Sequence, residues 1–398
     1  MLHFRKLSIT DRAWAQPFIE AENSRSADYN FGNIYMWDGA FRQHLTSVDG
    51  RLLTKLRYED MPFFAFPIGS GDVKPSIEAL TEFAAHRRYP LAIRGITEEH
   101  RALLEEAYPG RFRFFEDRDC FDYVYSIEKL STFAGKKLHG KRNFCNRFEK
   151  EHSWEFKRLT RELFPVCMEM LGFWQREFDV PPDGLEEEHG AIIRALMRWE
   201  ALNLEGGVLF ADGHCVGFTV GEVISSDTFD VHFEKAYASI PGAYPMVCRE
   251  FARQILYDHP EIVYLNREDD MGHENLRSAK LEYHPEFLLR KYTLSRLWGE
   301  VFGDTDDFIL AFFRGMWHDG CCRAYRTGGD IAAMGFCLDG PTAQGYRCSY
   351  IYAMATAGAH RGRGLAERIG RALISDAFAR GSGIVATLPA EESLNAWY

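Results

Sequence analysis

The sequence has no long apolar segment, no cysteine framework and no zinc-type cysteine pattern. No apolar run among its 398 residues approaches the roughly 20 residues that span a bilayer, and the N-terminal MLHFRKLSITDRAW lacks the apolar core of a signal peptide. The nine cysteines include an adjacent pair, Cys321 and Cys322, but no C-x-x-C motif and no Cys/His cluster with zinc spacing. We therefore expect a cytoplasmic protein with reduced thiols, without a membrane span and without a metal site.

Basic residues are outnumbered by acidic ones: 47 Lys and Arg against 58 Asp and Glu give a formal net charge of −11. This balance argues against a broad nucleic-acid surface. One stretch departs from it: the segment from Lys136 to Lys150, KKLHGKRNFCNRFEK, holds six Lys or Arg and one Glu. It could bind a phosphate-rich partner such as charged tRNA, or it could be a solvated helix face, and the sequence leaves both interpretations open.

One order of predicted elements occurs three times along the chain: helix, hairpin, strand, glycine turn, helix, strand and helix. The three hairpin turns are Val48-Asp49-Gly50, Asp212-Gly213 and Gly328-Gly329-Asp330. The middle repeat also predicts helices over residues 164–178 and 191–204, joined by a loop that contains Pro181-Pro182-Asp183-Gly184. The last repeat begins with a predicted helix over residues 302–316. Duplication is the simplest explanation of this order.

The clearest pattern lies near the C-terminus. Residues 350–355 (YIYAMA) form an apolar, β-prone run, and the basic turn HRGRG follows at residues 360–364. After the turn, Leu365, Ile369 and Leu373 recur at helical spacing. A strand that leads through a glycine turn into a helix forms an anion site, because the N–H groups of the first helical turn are free and the helix dipole favours negative charge.

The side chains of this turn fit the same interpretation. Gly362 and Gly364 let the backbone approach a phosphate where a Cβ would block it. Arg361 and Arg363 add positive charge that persists at every physiological pH. A glycine turn that merely joins strand to helix would not need the two arginines, so we predict a phosphate-binding loop.

In this stretch the chain resembles the GCN5-related N-acetyltransferases (GNAT), whose signature R/Q-x-x-G-x-G/A follows a strand. The resemblance implies that the loop binds the pyrophosphate of acetyl-coenzyme A, the acetyl donor and co-substrate, through Arg361, Gly362, Arg363, Gly364, Leu365 and Ala366. It also implies that the backbone of Met354 and Ala355 pairs with the pantetheine arm.

The last ten residues, PAEESLNAWY, resemble the closing helix of such enzymes, in which a tyrosine protonates the departing thiolate of coenzyme A. Tyr398 occupies the place of that tyrosine, so the resemblance implies a catalytic role for it. In the family a Gly-Phe pair and closing strands follow. The sequence stops at Tyr398, and we expect the last module to be incomplete at its end.

A shift of 120 residues superimposes the middle repeat on the last one. Three pairs of positions then align: Gly242 with Gly362, Tyr244 with Gly364, and Ser278 with Tyr398. The middle repeat thus has a tyrosine where the pyrophosphate loop needs a glycine, and a serine in place of the acid. We expect that it does not bind acetyl-coenzyme A in the conventional way.

A second resemblance covers roughly residues 1–295. Four motifs occur in order: GKRN at 140–143, HFEKA at 232–236, NREDDMG at 266–272 and LRSAKLEY at 276–283. They resemble an uncharacterised bacterial family related to the C-terminal domain of phosphatidylglycerol lysyltransferases. That domain is a tandem of two GNAT-like folds, akin to the Fem-type peptidoglycan aminoacyltransferases.

The two resemblances together imply an α+β protein of repeated GNAT-like folds, with mixed central sheets flanked by helices. Residues 1–125 would form a degenerate GNAT-like module, and residues 126–298 a second module that completes a tandem, lysyltransferase-like unit. Residues 299–398 would form the C-terminal acetyltransferase module.

The tandem unit offers candidates for a second site. On a strand, His232 and Glu234 would share one face and Lys235 the other, and Glu234 could pair with Arg267 or Lys280 in a cleft. A buried structural ion network is an equally good interpretation. The full set of candidates is Lys141, Arg142, His232, Glu234, Lys235, Asn266, Arg267, Arg277 and Lys280. The consecutive carboxylates after Arg267 lack EF-hand spacing, so we interpret them as a charged strand end.

We expect an acyltransferase that moves an acetyl group from acetyl-coenzyme A to the amine of a small molecule or peptide through the C-terminal module. One alternative is aminoacyl transfer from charged tRNA by the tandem unit. Another is a non-catalytic protein that senses coenzyme A. The sequence names neither the acceptor nor the oligomeric state.

Overall fold

The structure, a computed structural model, describes residues 2–58, 61–87, 91–109, 111–177, 182–295, 321–327, 330–340, 342, 345–357 and 360–387. The predicted helix over residues 302–316, Gly328, Gly329 and Tyr398 lie outside these residues. Within them, no helix is both long enough and apolar enough to cross a membrane.

Nineteen strands are described. They are β1 (Arg5–Lys6), β2 (His44–Val48), β3 (Arg51–Tyr58), β4 (Met61–Ala65), β5 (Ile68–Gly69), β6 (Ile93–Ile96), β7 (Arg113–Glu116), β8 (Asp122–Ser126), β9 (Trp154–Arg158), β10 (Glu205–Ala211), β11 (His214–Val223), β12 (Thr228–Ala236), β13 (Tyr264–Asn266), β14 (Phe287–Leu289), β15 (Tyr292–Ser295), β16 (Cys322–Thr327), β17 (Asp330–Asp339), β18 (Cys348–Thr356) and β19 (Ile384–Thr387).

The described α-helices are α1 (Arg12–Glu22), α2 (Phe31–Met36), α3 (Asp38–Phe41), α4 (Val73–Arg87), α5 (Glu98–Ala107), α6 (Ile127–Thr132), α7 (His139–Glu151), α8 (Phe164–Glu177), α9 (Pro182–Met197), α10 (Trp199–Leu202), α11 (Ala243–Asp258), α12 (Glu274–Leu281) and α13 (Leu365–Ala379).

The strands form three mixed sheets flanked by helices, which confirms the predicted fold class. The first sheet has the order β1-β2-β3-β4-β6-β15-β7, with β5 beside β3, and the second has the order β14-β8-β13-β12-β11-β10-β9. The third, of four described strands, has the order β16-β17-β18-β19. Each sheet contains one parallel pair of described strands, whose crossover is a helix: β4 and β6 across α4, β12 and β13 across α11, and β18 and β19 across α13.

Local sequence accounts for several of these elements. The hairpins β2–β3 and β10–β11 turn at Asp49-Gly50 and Asp212-Gly213, where all four residues have positive φ, as expected of a two-residue I′ turn. Thr97 caps α5 by accepting a hydrogen bond from the N–H of His100. The predicted loop at residues 181–184 is wrong in part, because α9 already begins at Pro182. Proline is favoured in the first helical turn, where its missing N–H costs nothing.

Two strands are exchanged between the first and second sheets. Strand β8 follows β7 in the chain but lies in the second sheet between β13 and β14. Conversely, β15 follows β14 but lies in the first sheet between β6 and β7. The predicted boundary between residues 125 and 126 therefore does not separate the two sheets. One apolar core, whose members lie between Leu7 and Leu294 in the sequence, includes residues of both sheets. These two sheets are therefore packed as a unit.

Candidate functional site

The C-terminal turn has the predicted strand–turn–helix geometry. Gly364 is the N-terminal cap of α13 with φ 69°, and Gly362 has φ 76°. Both glycines are exposed, and among the described residues no atom lies within 4 Å of a Cβ placed on either. The turn is therefore open, and the first N–H groups of a 15-residue helix lie beside it.

A bulge precedes this turn in β18. Tyr352 pairs with Phe336 and Ala355 with Met334, so two residues, Ala353 and Met354, face one on β17. Ala353 takes the left-handed conformation, with φ 51°, that such a bulge requires. In the described residues β19 pairs only with residues 348–351 of β18. The backbone at Met354 and Ala355, predicted to pair with pantetheine, therefore has no partner on β19 among the described residues.

Positive charge surrounds the open turn. Arg361 and Arg363 are exposed, and the guanidinium of Arg363 lies 3.2 Å from Nδ1 of His360. Leu365 and Ala366 begin α13, with Leu365 buried in the core of the module. The structure thus places the predicted loop residues together, on one exposed turn.

The matching turn of the middle repeat is filled by protein. Gly242, with φ 94°, caps α11 as Gly364 caps α13, yet it is buried. A Cβ at Gly242 would lie 2.7 Å from the carbonyl oxygen of Phe144 in α7. Nearby, the indole N–H of Trp174 donates to the Tyr244 hydroxyl at 2.9 Å. Helix α7 occupies the space that a pyrophosphate would need, in keeping with the expected loss of conventional cofactor binding.

A bulge at His232 corrects one prediction. Phe233 pairs with Val220 but Val231 pairs with Gly221, so His232 is an extra residue in β12. The extra residue reverses the alternation of side chains. His232 therefore points to the same side of the second sheet as Phe233, whose side chain belongs to the apolar core shared with the first sheet. Glu234 points to the opposite side. The prediction that His232 and Glu234 share a face is wrong.

His232 lies among three carboxylates. Its Nδ1 is 3.0 Å from Glu268 Oε1 and 3.4 Å from Asp230 Oδ2, and its Nε2 is 3.1 Å from Glu222 Oε1. The side chains of His232 and Asp230 are fully buried. Burial lowers the pKa of His232, but the carboxylates of Asp230, Glu222 and Glu268 outweigh it and raise that pKa well above its usual value.

Glu234 forms the predicted ion pair with Arg267 on the other face, at 2.7 Å. Burial raises the pKa of the Glu234 carboxyl, although the guanidinium of Arg267 opposes the rise. Arg267 also lies 4.6 Å from the ring centroid of Tyr283. Lys280 donates to the backbone carbonyls of Arg267, Glu268 and Asp269 and so holds the segment that follows β13.

The remaining middle-repeat candidates are dispersed. Lys235 pairs with Glu188 at 2.8 Å and lies over the Trp174 ring. The amide of Asn266 donates to Asp122 at 3.0 Å. Arg277 binds Asp270 and Asp119 at 2.9 and 2.8 Å. These contacts join elements of the fold and define no common pocket.

The basic segment lies mostly on α7. Lys141 pairs with Glu282 at 2.7 Å, and Arg142 donates to the carbonyl of Phe133 at 2.8 Å. Lys136, Lys137 and Lys150 are exposed. The two residues chosen from sequence are therefore engaged within the protein, and the exposed charge lies at the ends of the segment.

Sequence reasoning missed several polar residues, buried except for the partly exposed Glu268, that the fold brings together. They are Asp122, Glu222, Asp230, Glu268 and Lys291. A usable signal was present for Asp230, because it and His232 alternate with apolar residues in β12. The partners of these residues come from distant parts of the chain, and no local spacing indicates them.

The mixed sheets, with a parallel pair joined by a crossover helix in each, define a fold of the GNAT-like, acyltransferase type. A sequence model of the acetyltransferase (GNAT) family matches residues 287–397. The model described as "Phosphatidylglycerol lysyltransferase, C-terminal" matches residues 20–295, more than half of the chain, and the chain belongs to that family.

Similar proteins agree with this assignment. A conserved protein of unknown function from Bacteroides thetaiotaomicron is 35% identical, with a TM-score of 0.70, and the match covers 74% of this chain and 100% of that one. The C-terminal domain of a putative lysylphosphatidylglycerol synthetase from Agrobacterium fabrum shares the fold at 16% identity, with a TM-score of 0.53 over 77% of this chain and 96% of that one. An uncharacterized protein of Mycoplasmoides gallisepticum is 25% identical over 43% of this chain, which spans about half (54%) of that relative.

Proposed function

We propose that the C-terminal module is an N-acyltransferase that takes an acetyl group from acetyl-coenzyme A and passes it to an amine. The observation that carries this proposal is the open turn at the start of α13. At its two left-handed glycines, no side chain of the described residues blocks the approach to the helix N-terminus. This is the arrangement that a pyrophosphate needs.

Charge complementarity supports a phosphorylated donor. Arg361 and Arg363 are exposed beside the turn. A guanidinium group can bind two phosphate oxygens at once, which suits a phosphorylated ligand. The equivalent turn in the middle repeat is filled by α7 at Phe144. The contrast favours the C-terminal turn over the middle one as the donor site.

The chemistry requires a neutral amine to attack the thioester carbonyl. The carbon–nitrogen bond forms and the carbon–sulfur bond breaks; the amine nitrogen releases one proton to water, and the departing thiolate takes up one proton. Backbone N–H groups of β18 near Met354 would polarise the carbonyl. Tyr398 is the proposed proton donor, on the basis of the resemblance alone.

The donor site can be tested with a matched pair of variants. Gly364→Tyr copies the residue at the aligned position of the middle repeat and should abolish coenzyme A binding, measured by titration calorimetry, because the ring fills the open turn. Gly381→Tyr is the control. Gly381 also has positive φ, flanks the other end of the same helix and has open space around it.

Both variants place a tyrosine at a positive φ, 69° at Gly364 and 88° at Gly381, so the control accounts for strain of this kind and isolates the effect of the ring's position. Retained coenzyme A affinity in Gly364→Tyr, or an equal loss in both variants, would overturn the assignment of the loop. Binding without acetylation of any amine would instead support the sensor alternative.

Aminoacyl transfer by the tandem unit is the second candidate. It is supported by membership in the family of phosphatidylglycerol lysyltransferase C-terminal domains. The donor would then be charged tRNA, and the acceptor would carry a hydroxyl or amine. Transfer of a radiolabelled amino acid from tRNA to an acceptor, unaffected by Gly364→Tyr, would favour this candidate.

A further inference from the structure

One histidine and three carboxylates lie close together where the first module packs against the second. His232 presents Nδ1 to Glu268 at 3.0 Å and to Asp230 at 3.4 Å. One donor atom from each of these three residues lies within 4.8 Å of the other two. The side chains of Asp230 and His232 are fully buried, and that of Glu268 is 20% exposed.

The other ring nitrogen determines what Nδ1 can do. Nε2 lies 3.1 Å from Glu222 Oε1, so Nδ1 is the ring nitrogen that faces Asp230 and Glu268. A carboxylate that accepts from one imidazole nitrogen while the other faces a cation is the usual arrangement of a metal-binding histidine. Without a metal, Nδ1 carries a proton that it shares with these carboxylates; a metal ion would displace this proton and take the Nδ1 lone pair as a ligand.

The protonated imidazole of His232 supplies one positive charge for three carboxylates. No Lys or Arg of the described part of the chain forms an ion pair with Glu222, Asp230 or Glu268. Oδ1 of Asp230 is buried and has no hydrogen-bond partner among the described residues. An unpartnered carboxylate oxygen in a buried site costs free energy unless a cation binds it.

The walls of the cluster hold the carboxylates in place. The amides of Asn30 and Asn33 donate to Asp230 at 3.4 Å and to Glu268 at 3.1 Å. Gly32 lies against Glu222, where a Cβ would come within 1.8 Å of Oε1. These residues belong to α2 and its cap, so the first module closes over the second sheet here.

The backbone at Glu268 is also constrained. Its φ is 55°, a left-handed conformation that is unusual for glutamate. Its N–H donates to the side chain of Asn266 at 2.7 Å, and Lys280 holds its carbonyl. Such conformations persist where the surrounding structure enforces them, often at binding sites.

We propose that Asp230, His232 and Glu268 bind one divalent transition-metal ion, with Zn²⁺ or Mn²⁺ as the chemical class. The two distances from Nδ1 to the carboxylate oxygens, 3.0 and 3.4 Å, subtend about 90–110° at an ion about 2.1 Å from each atom, which suits octahedral or tetrahedral coordination. One imidazole with two carboxylates favours these ions over Mg²⁺ or Ca²⁺, which prefer oxygen ligands alone. The ion would fasten α2 to β12 and to the segment after β13.

The first experiment measures the metal directly in untagged, full-length protein. Mass spectrometry of the purified protein should find about one ion per chain. Dialysis against a chelator should lower Tm, and Zn²⁺ or Mn²⁺ alone should restore it. Absence of a bound ion, together with no rise in Tm on adding either metal, would overturn the proposal.

The variants assign the ligands. Asp230→Asn and Glu268→Gln keep side-chain volume and should each lower metal affinity by at least about 100-fold, whereas Glu222→Gln should lower it by about 10–100-fold because Glu222 acts through the imidazole. His152→Asn is the control for adventitious chelation, since His152 faces Asp212 at the surface. Equal affinity in wild type and Glu268→Gln would exclude this cluster.

A third measurement does not depend on the variants folding. Co²⁺ added to the chelated wild type should give visible d–d absorption bands typical of mixed nitrogen and oxygen ligands, and Zn²⁺ should displace them. A featureless spectrum, as of hydrated Co²⁺, would contradict the site.

Discussion

The ammonium of Lys291 lies 2.7 Å from the carboxylate of Asp122, and both side chains are almost completely buried. Lys291 stands between β14 and β15, and Asp122 begins β8. The pair therefore sits where the two exchanged strands pass between the first and second sheets. Asp28 also accepts from Lys291, at 2.8 Å, and ties in the segment before α2. Burial lowers the pKa of Lys291, but Asp122, Asp28 and Asp269 outweigh it and raise that pKa well above its usual value.

Removal of this ammonium should destabilise the tandem unit severely. Lys291→Met keeps most of the side-chain volume but leaves buried carboxylates without a counter-charge, which typically costs about 3–5 kcal/mol. The control is Lys129→Met, because Lys129 pairs with Glu286 at the surface and should lose less than about 1 kcal/mol. Urea unfolding measures both values. Similar losses of unfolding free energy in the two variants would show that the buried pair contributes no more to stability than the surface pair.

The carboxylate of Glu22 makes the stability of the fold depend on pH. Glu22 lies 2.7 Å from His100 Nε2 and accepts from the N–H of Gly69 at 2.7 Å. Burial raises the pKa of Glu22, but these hydrogen bonds, the charge of His100 and that of Arg51 outweigh it, and the pKa is lowered. Because the folded pKa is below the unfolded one, the stabilisation is present above about pH 4.5 and is lost as the pH falls through the folded pKa.

Glu22→Gln should remove this dependence. We expect a loss of about 1–3 kcal/mol near neutral pH, as for a hydrogen bond to a charged group, and a shallower fall of stability below pH 4.5. Glu20→Gln changes an exposed carboxylate of the same helix and serves as the control. Parallel stability–pH curves for wild type and Glu22→Gln would contradict the assignment.

The turns and the amphipathic elements could be predicted from sequence, because their signals are local. Asp49-Gly50 and the strand–turn–helix around Gly364 depend on φ preferences and spacing that neighbouring residues carry. The strand exchange could not be predicted in this way, because β8 and β15 have ordinary strand composition whichever sheet they join.

The position of His232 was missed for a related reason. Its face depends on one extra residue in β12 opposite Val220 and Gly221, and pairing register is a property of two strands together. The carboxylates of Glu222 and Glu268 reach it from a neighbouring strand and from the segment after β13. Sequence patterns within one element contain no information on contacts between side chains of different elements.

The basic segment gives a third prediction, for the aminoacyl-transfer candidate. Lys136 and Lys137 are exposed, whereas Lys141 and Arg142 are bound within the protein. If the segment binds tRNA, reversal of Lys136 and Lys137 to Glu should weaken binding and reduce its salt slope by about 0.7–0.9 per lost phosphate contact. Filter binding across a salt series measures this. Absence of tRNA binding by the wild type at low salt would leave the segment as a solvated helix face.

The last prediction concerns Tyr398 and separates an enzyme from a sensor. A thiolate leaves more readily when a proton arrives as the carbon–sulfur bond breaks, and a phenol with a pKa of about 10 remains protonated at working pH. Tyr398→Phe should therefore lower turnover by about 10²–10⁴-fold, the usual range of general acid catalysis. Coenzyme A affinity should hardly change, because the hydroxyl acts mainly in the transition state. Tyr346→Phe, an exposed tyrosine of the same module, is the control and should be silent. If Tyr398→Phe turns over an acceptor amine as fast as the wild type, Tyr398 only packs, and the proton must come from water or another residue.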